Sequence, residues 1–220
     1  MPIFKDYAHY YKLIYSNKPY QQEAEFVYKW ANYPKTILEL GIGTGGHAQY
    51  WCKKSKIRGI DSSLEMIKRA YRHPNIKYLC SPIEILEKIR FPLVDCVYAM
   101  FNVMGYCLLE QTLPHLPLKP KGYFIFDIWD ASKFKQYPPV PKVNYFPFGY
   151  RLAVPNQLTK RVLRIDFVIV EQKEIKAFEN HYVQGYFKKD IERLCKLHHY
   201  KIVGFKPTKT WTCWYKLQKQ

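Results

Sequence analysis

The sequence predicts an α/β fold built on a doubly wound parallel sheet, and three observations lead to this prediction. From Thr36 onward, short runs rich in β-branched residues alternate with segments of helical character. A glycine-rich turn, GIGTGG, directly follows the first of these runs. With 220 residues, 48% of them hydrophobic, the chain can bury a substantial core within one domain. We therefore expect a single domain over residues 1–220.

The first part of the predicted core, which starts at residue 34, contains three strands. TILEL (36–40) is the first strand, and HAQYWCKKS forms a helix after the glycines. IRGID (57–61) is the second strand. The helix over 62–72 begins at Ser62 with Glu65 three residues later, which is the pattern of a capping box. IKYLC (76–80) is the third strand.

Two further strands complete the core at about residue 131. VDCVYAMF (94–101) and GYFIFDIW (122–129) have the apolar character of buried strands. PIEILEKI and LLEQTLPHL are the intervening helices.

Three additions flank this core of residues 34–131. Residues 1–33 have helical spacing and form an N-terminal cover. Residues 132–186 begin with a proline-rich connector and continue in alternating runs such as RVLRIDFVIV, which predict an antiparallel β insert. Residues 187–220 provide a last helix (188–200) and two closing strands, KIVGFKP and TWTCWYKL.

Composition limits the partners, the metal content and the location that we expect of the protein. The formal net charge of +17 reflects either general solubility or an anionic partner such as nucleic acid or a phosphorylated small molecule. Six cysteines without a CxxC pair indicate reduced core thiols, so no metal is expected. Neither a signal peptide nor a membrane-spanning run is present, which favours a cytoplasmic protein without a membrane partner.

The glycine turn indicates a ligand with a polar or anionic end. It follows a strand that carries Glu39, and it lets the backbone approach a ligand without an intervening Cβ. Gly41, Gly43 and Gly46 also fit the GxGxxG spacing of dinucleotide-binding proteins, so the glycines alone leave the ligand open.

The residues around the turn are more specific. ELGIGTGGHA resembles the first motif of class I S-adenosylmethionine-dependent methyltransferases, and Asp61 stands where that family has an acid that binds the ribose hydroxyls. LKPKGYFIFDIW resembles the family's turn into the fifth strand, with Lys121 in place of the first of two glycines. YKIVGF resembles the element before its last strands. The resemblance implies a Rossmann-like, seven-stranded methyltransferase sheet and S-adenosylmethionine as cofactor.

The family resemblance also implies which residues bind the cofactor. Adenine recognition is open, because Ser81 and Pro82 replace the usual aspartate; Ser81, the backbone around Ile83, or Glu84 are the alternatives. The full set of candidates is Tyr11, Tyr15, Tyr20, Glu39, Gly41, Gly43, Gly45, Asp61, Ser62, Met66, Ser81, Ile83, Met100 and Phe101.

Two further stretches resemble small-molecule methyltransferases, notably the sugar-nucleotide N-methyltransferases. They are YYKLIYSNKPYQQEAEFV (10–27) and MFNVMGY (100–106). The resemblance implies N-methylation of an amino sugar on a nucleotide. It places Tyr11 and Tyr15 near the sulfonium, which aromatic faces and phenol oxygens stabilise, and Tyr20 near the methionine carboxylate.

The candidates for orienting or deprotonating the acceptor are Tyr106 first, then Tyr15, His181 and His115. The resemblance gives the insert the role of a substrate-facing lid or of a homodimer contact.

Arginines of the insert and the basic surface suggest an anionic substrate. Arg151, Arg161 and Arg164 are candidates to bind a nucleotide diphosphate. The alternatives are an RNA methyltransferase that uses the basic surface, and a binding subunit without activity.

Overall fold

The computed structural model describes residues 4–134 and 140–220. Residues 1–3 of the predicted cover and 135–139 of the proline-rich connector lie outside this range. The strands are β1 (Thr36–Leu40), β2 (Lys56–Asp61), β3 (Ile76–Cys80), β4 (Val94–Ala99), β5 (Leu118–Trp129), β6 (Lys142–Phe146), β7 (Gly149–Gln157), β8 (Val162–Glu171), β9 (Glu174–Gln184), β10 (Tyr200–Pro207) and β11 (Thr212–Lys219). The α-helices are α1 (Tyr11–Ile14), α2 (Tyr20–Trp30), α3 (Ala48–Trp51), α4 (Leu64–Lys68), α5 (Leu109–Thr112) and α6 (Lys188–Leu197).

Seven strands form one sheet in the order β3-β2-β1-β4-β5-β11-β10. Strands β1 to β5 pair in parallel, and β11 runs antiparallel to both of its neighbours. Helices cover both faces, because one core cluster joins the sheet to α2 and α3 and another joins it to α5 and α6. The predicted Rossmann-like, seven-stranded sheet is confirmed.

The helices between the strands are shorter than the sequence predicts. Residues 83–87 and 113–115 form 3₁₀ turns, the second of them at Pro114. The helix predicted over 62–72 ends at Lys68, because the chain turns back and the Tyr71 amide bonds to the Thr44 carbonyl over 3.0 Å. Its cap is Ser63, whose side chain accepts from the Met66 amide, so the capping box predicted at Ser62 is wrong.

The insert is a separate antiparallel sheet in the order β6-β7-β8-β9, as predicted. Its inner face packs on the N-terminal segment through a cluster that includes Tyr7, Tyr10, Phe146, Leu163 and Phe167. Among the described residues, no helix has the length and apolarity needed to cross a membrane.

The carboxyl ends of β1, β2 and β4 meet at one edge of the large sheet, beside the insert. In open α/β sheets this edge is where ligands bind.

Candidate active site

The turn after β1 has a backbone that favours glycine. Gly41 and Gly43 have φ values of 64° and 55°, which non-glycine residues rarely adopt. A Cβ on Gly41 would also overlap the Val103 side chain. The turn therefore presents bare backbone to the cavity that it lines.

Asp61, at the end of β2, holds this turn in place. One carboxylate oxygen accepts from the Gly43 amide and the other from the Ser63 amide, each over 2.8 Å. Burial raises the pKa of Asp61, although these two hydrogen bonds oppose the shift. Each carboxylate oxygen has a second lone pair, so Asp61 can still accept hydrogen bonds from a ribose diol.

Glu39, in β1, provides an acceptor without a partner. It is 2% exposed, and its Oε2 atom has no hydrogen bond among the described residues. Burial, followed by the charge of Asp61, raises its pKa well above the usual range. A buried acceptor of this kind needs a donor. The α-ammonium of S-adenosylmethionine fits that need.

His47 stands beside Glu39 and connects it to helix α2. Its Nδ1 lies 3.7 Å from Glu39 Oε1, and its Nε2 lies 2.8 Å from Glu23. Burial lowers the pKa of His47, against the hydrogen bond to Glu23, and so favours the neutral imidazole. Lys18 also pairs with Glu23.

These groups line a cavity of about 220 Å³, which we call the cofactor cavity. Tyr11 donates a hydrogen bond to Tyr20 at its wall. Most of the predicted cofactor residues lie here, namely Tyr11, Tyr20, Glu39, Gly41, Gly43, Asp61, Ser62, Met66, Ile83, Met100 and Phe101, together with Glu84.

Three predicted cofactor residues do not line the cofactor cavity. A Cβ on Gly45 would lie 2.8 Å from the Tyr78 hydroxyl. Since Tyr78 does not line the cofactor cavity, Gly45 faces away from that cavity. Ser81 gives its amide to the Asp61 carbonyl within the sheet. Tyr15 lies in a second cavity instead.

This second cavity, the acceptor cavity, measures about 720 Å³ and lies between the large sheet and the insert. Phe4, Phe101 and Tyr106 line both cavities, so the two spaces adjoin at these side chains. The rest of the wall of the acceptor cavity mixes aromatic, aliphatic and polar side chains, and its aromatic residues are Tyr15, Trp129, Phe167 and Trp211.

Tyr106 begins a chain of hydrogen bonds that leads away from the junction of the cavities. Its hydroxyl lies 3.0 Å from His181 Nδ1, and His181 Nε2 lies 2.9 Å from Glu179. Because Glu179 accepts, Nε2 carries the proton and Nδ1 accepts from Tyr106. Burial raises the pKa of Tyr106. For Glu179 burial also acts to raise the pKa, but the hydrogen bond from His181 and two backbone amides outweigh it, and the pKa is lowered.

The N-terminal segment, residues 4–15, is fastened to both halves of the site. The amides of Phe4 and Tyr7 donate to Glu179 over 2.7 and 3.0 Å. On the other side, the Ser63 hydroxyl donates to the Phe4 carbonyl over 2.7 Å. The ring of Phe4 thereby covers the junction of the two cavities.

The floor of the acceptor cavity is strained. Phe101 and Asn102 are consecutive left-handed residues, with φ of 70° and 58°. Both oxygens of Asp127 accept from the Asn102 amide over 3.0 Å, and burial raises the pKa of Asp127 to about 6 against these bonds. Strain of this kind is typical of functional sites.

Besides Gly45 and Ser81, four residues predicted for the site lie outside both cavities, and of these His181 reaches them only through its hydrogen bond with Tyr106. His115 is exposed on a 3₁₀ turn. Arg161 forms an ion pair with Asp190, and Arg164 forms one with Asp166. Each of these arginines sits beside an acid of its own, whereas Arg151 lines the acceptor cavity.

Sequence reasoning missed Phe4, His47, Asn102, Asp127 and Glu179. Two of them carried a usable signal. Asp127 is the acidic position of the segment LKPKGYFIFDIW, and Glu179 is two residues from His181, on the same face of a strand. The positions of Phe4 and Asn102 depend on backbone geometry that no sequence pattern predicts.

Comparison with known proteins agrees with this fold. Residues 37–116 match the family described as Methyltransferase domain. No curated protein matches the chain by sequence. An S-adenosylmethionine-dependent methyltransferase from Clostridium acetobutylicum ATCC 824 is similar in structure, with 21% identity, a TM-score of 0.79 and 97% of each chain covered.

Two sugar methyltransferases share the fold as well. KedS8, a sugar N-methyltransferase from Streptoalloteichus sp. ATCC 53650, is 14% identical, with a TM-score of 0.77 over 96% of this chain and 93% of that one. CalS10, an amino pentose methyltransferase from Micromonospora echinaspora, is 12% identical, with a TM-score of 0.75 over 92% of each chain. The match over residues 37–116 shows a methyltransferase domain within the chain, the solved structures share its fold, and the cofactor cavity offers acceptors that fit S-adenosylmethionine.

Proposed function

We propose that the enzyme methylates an amino group of a small molecule, and that the acceptor is an amino sugar carried on a nucleotide. The observation that carries this proposal is the acceptor cavity of about 720 Å³, which adjoins the cofactor cavity at Tyr106. Its volume is typical of small-molecule sites. The sugar substrates of KedS8 and CalS10 support the amino sugar.

The residues of the cofactor cavity have separate roles in binding. Asp61 would accept hydrogen bonds from the ribose hydroxyls, and Glu39 would accept from the α-ammonium. Met66, Ile83 and Glu84 line the same cavity and would hold the adenine. When bound, S-adenosylmethionine supplies an electrophilic methyl group on a sulfonium.

Tyr106, His181 and Glu179 prepare the acceptor amine. The Tyr106 oxygen accepts a proton from the ammonium form of the acceptor while its own proton passes to His181 Nδ1. The carboxylate of Glu179 stabilises the imidazolium that results. The acceptor nitrogen then has the free lone pair that an in-line displacement requires.

Aromatic side chains align the reaction and exclude water. Phe4 and Phe101 close the junction of the cavities, and Tyr11 presents its ring at the wall of the cofactor cavity. Since methyl transfer to a neutral amine depends mainly on alignment, this packing contributes directly to the rate.

The experiment uses methyl-labelled cofactor with three separate pools: nucleotide-linked amino sugars, small amines and total RNA. We expect label in the nucleotide-linked amino sugars. The Asp61→Asn variant, which loses an acceptor for the ribose, serves as the control for enzyme-dependent labelling. Label in RNA alone would overturn the proposal.

We also propose that the outer face of the insert joins two copies of the chain. Two rows of side chains cross all four strands of this face, Val143, Leu152, Val168 and Phe178 in one and Tyr145, Tyr150, Val170 and Ile175 in the other. Tyr145 is 80% exposed. Both rows are uncharged in a chain of formal charge +17, so two copies can approach here without repulsion.

Light scattering tests this contact. The wild-type chain and Leu197→Lys, which places a charge on an exposed leucine of α6, should both be dimers. Phe178→Lys should be a monomer. A monomeric wild-type chain at micromolar concentration would refute the contact.

A further inference from the structure

Arg151, in the insert, is a buried cation that no acid neutralises. Its side chain is 6% exposed, and it donates to the hydroxyls of Tyr7 and Tyr15 over 2.8 and 2.7 Å and to the side-chain oxygen of Asn144. No acid within the described residues forms an ion pair with it, and residues 1–3 and 135–139 contain neither aspartate nor glutamate. A buried guanidinium without a carboxylate is costly.

The hydrogen bonds around Arg151 determine what the hydroxyl proton of Tyr15 can do. Tyr7 accepts from Arg151 and donates to Tyr15 over 3.2 Å. The Tyr15 oxygen therefore receives two hydrogen bonds, which occupies both of its lone pairs. Its own proton remains as a donor, and Tyr15 lines the acceptor cavity.

One donor atom of Arg151 makes no hydrogen bond to the described residues. Its Nε atom is buried and has no partner among the described residues. Arg151 lines the acceptor cavity together with Lys142 and Lys209, and among the lining residues that the structure describes, Asp127 is the one acid. The cavity thus carries an excess of positive charge, with the Tyr15 hydroxyl as an unused donor at its wall and the Arg151 Nε buried behind it.

We propose that Arg151 and Tyr15 form a subsite for an anionic oxygen group of the acceptor, either a carboxylate or a phosphate. The subsite lies near the reacting centre, because the ring of Tyr15 packs edge-on against Phe101 at a centroid distance of 5.0 Å, and Phe101 lines both cavities. The inference rests on the proposed function insofar as the acceptor cavity binds the substrate. It adds which residues of the cavity bind the anionic group of that substrate.

The test measures binding of simple anions and does not require methyl transfer. The protein is saturated with S-adenosylhomocysteine, and inorganic phosphate and acetate are titrated at constant ionic strength. The variants are Arg151→Met and, as a control of equal net charge, Arg164→Met, whose arginine pairs with Asp166. We expect one anion to bind the wild type and Arg164→Met alike and Arg151→Met at least tenfold more weakly.

The anion that binds identifies the source, phosphate for a phosphorylated acceptor and acetate for a carboxylate. Equal binding to all three proteins, or no binding to the wild type, would overturn the subsite. If Arg151→Met does not fold, Tyr15→Phe removes the proposed donor while keeping the ring, and it should also bind the anion more weakly. An enzyme inactive on amino sugars that still binds the anion through Arg151 would contradict the proposed acceptor alone.

Discussion

Replacing Asp61 with asparagine tests the cofactor site most directly. The carboxylate uses one oxygen for the Gly43 amide and the other for the Ser63 amide. Asparagine has a single oxygen, so one amide faces an NH₂ group and the ribose loses a charged acceptor. Hydrogen bonds to a charged group contribute about 1.5–3 kcal/mol. Cofactor affinity should therefore fall about 10- to 150-fold.

The stability of the fold should change much less. Losing one hydrogen bond costs about 1 kcal/mol, while removing a buried charge whose pKa is raised offsets part of that cost. Calorimetry with S-adenosylhomocysteine measures affinity, and urea unfolding measures stability.

Asp95→Asn is the matched control for this substitution. Asp95 accepts from the amides of Lys35 and Thr36, but at the opposite edge of the sheet. Its variant should lose stability and keep full cofactor affinity. An Asp61→Asn enzyme that binds the cofactor within twofold of the wild type would refute the assignment of the ribose.

Three further outcomes are expected. Burial raises the pKa of Asp127 from about 4 to about 6, so the folded state holds this proton more tightly and the free energy of unfolding falls by about 2 kcal/mol as pH rises from 4 to 7. Urea titrations at both pH values should show a smaller fall for Asp127→Asn. Glu179→Gln should lower kcat about tenfold or more in steady-state kinetics, because the imidazolium that forms on His181 loses its counter-charge. Ser63→Ala should cost about 1 kcal/mol in urea unfolding and speed cofactor release in stopped-flow displacement, because it removes both a helix cap and the bond to Phe4.

The parallel strands could be predicted closely because their signals are local. The run TILEL coincides with β1, and IKYLC coincides with β3. Strand β5 begins four residues before the prediction, at Leu118, because Lys121 adopts the left-handed conformation expected of the glycine it replaces (φ 62°). The left-handed conformation costs a non-glycine residue about 1–2 kcal/mol. The sequence does not show that strand β5 continues through Lys121.

The helix ends and part of the site depend on contacts between distant residues. Helix α4 ends early because Tyr71 bonds to Thr44, and no periodicity in the segment carries that information. The motif residues around Asp61 could be placed because the family resemblance supplies them. His181 could be named as a candidate, but its role depends on Tyr106, 75 residues away, and on which face of β9 points inward.

The hydrogen bonds that hold the N-terminal segment also bear on catalysis. Glu179 anchors the proton relay, and the same carboxylate receives the amides of Phe4 and Tyr7 that hold the segment over the junction. If the segment moves away, Glu179 loses two of the three hydrogen bonds that orient its carboxylate, so the proposed relay is best ordered when the junction is covered.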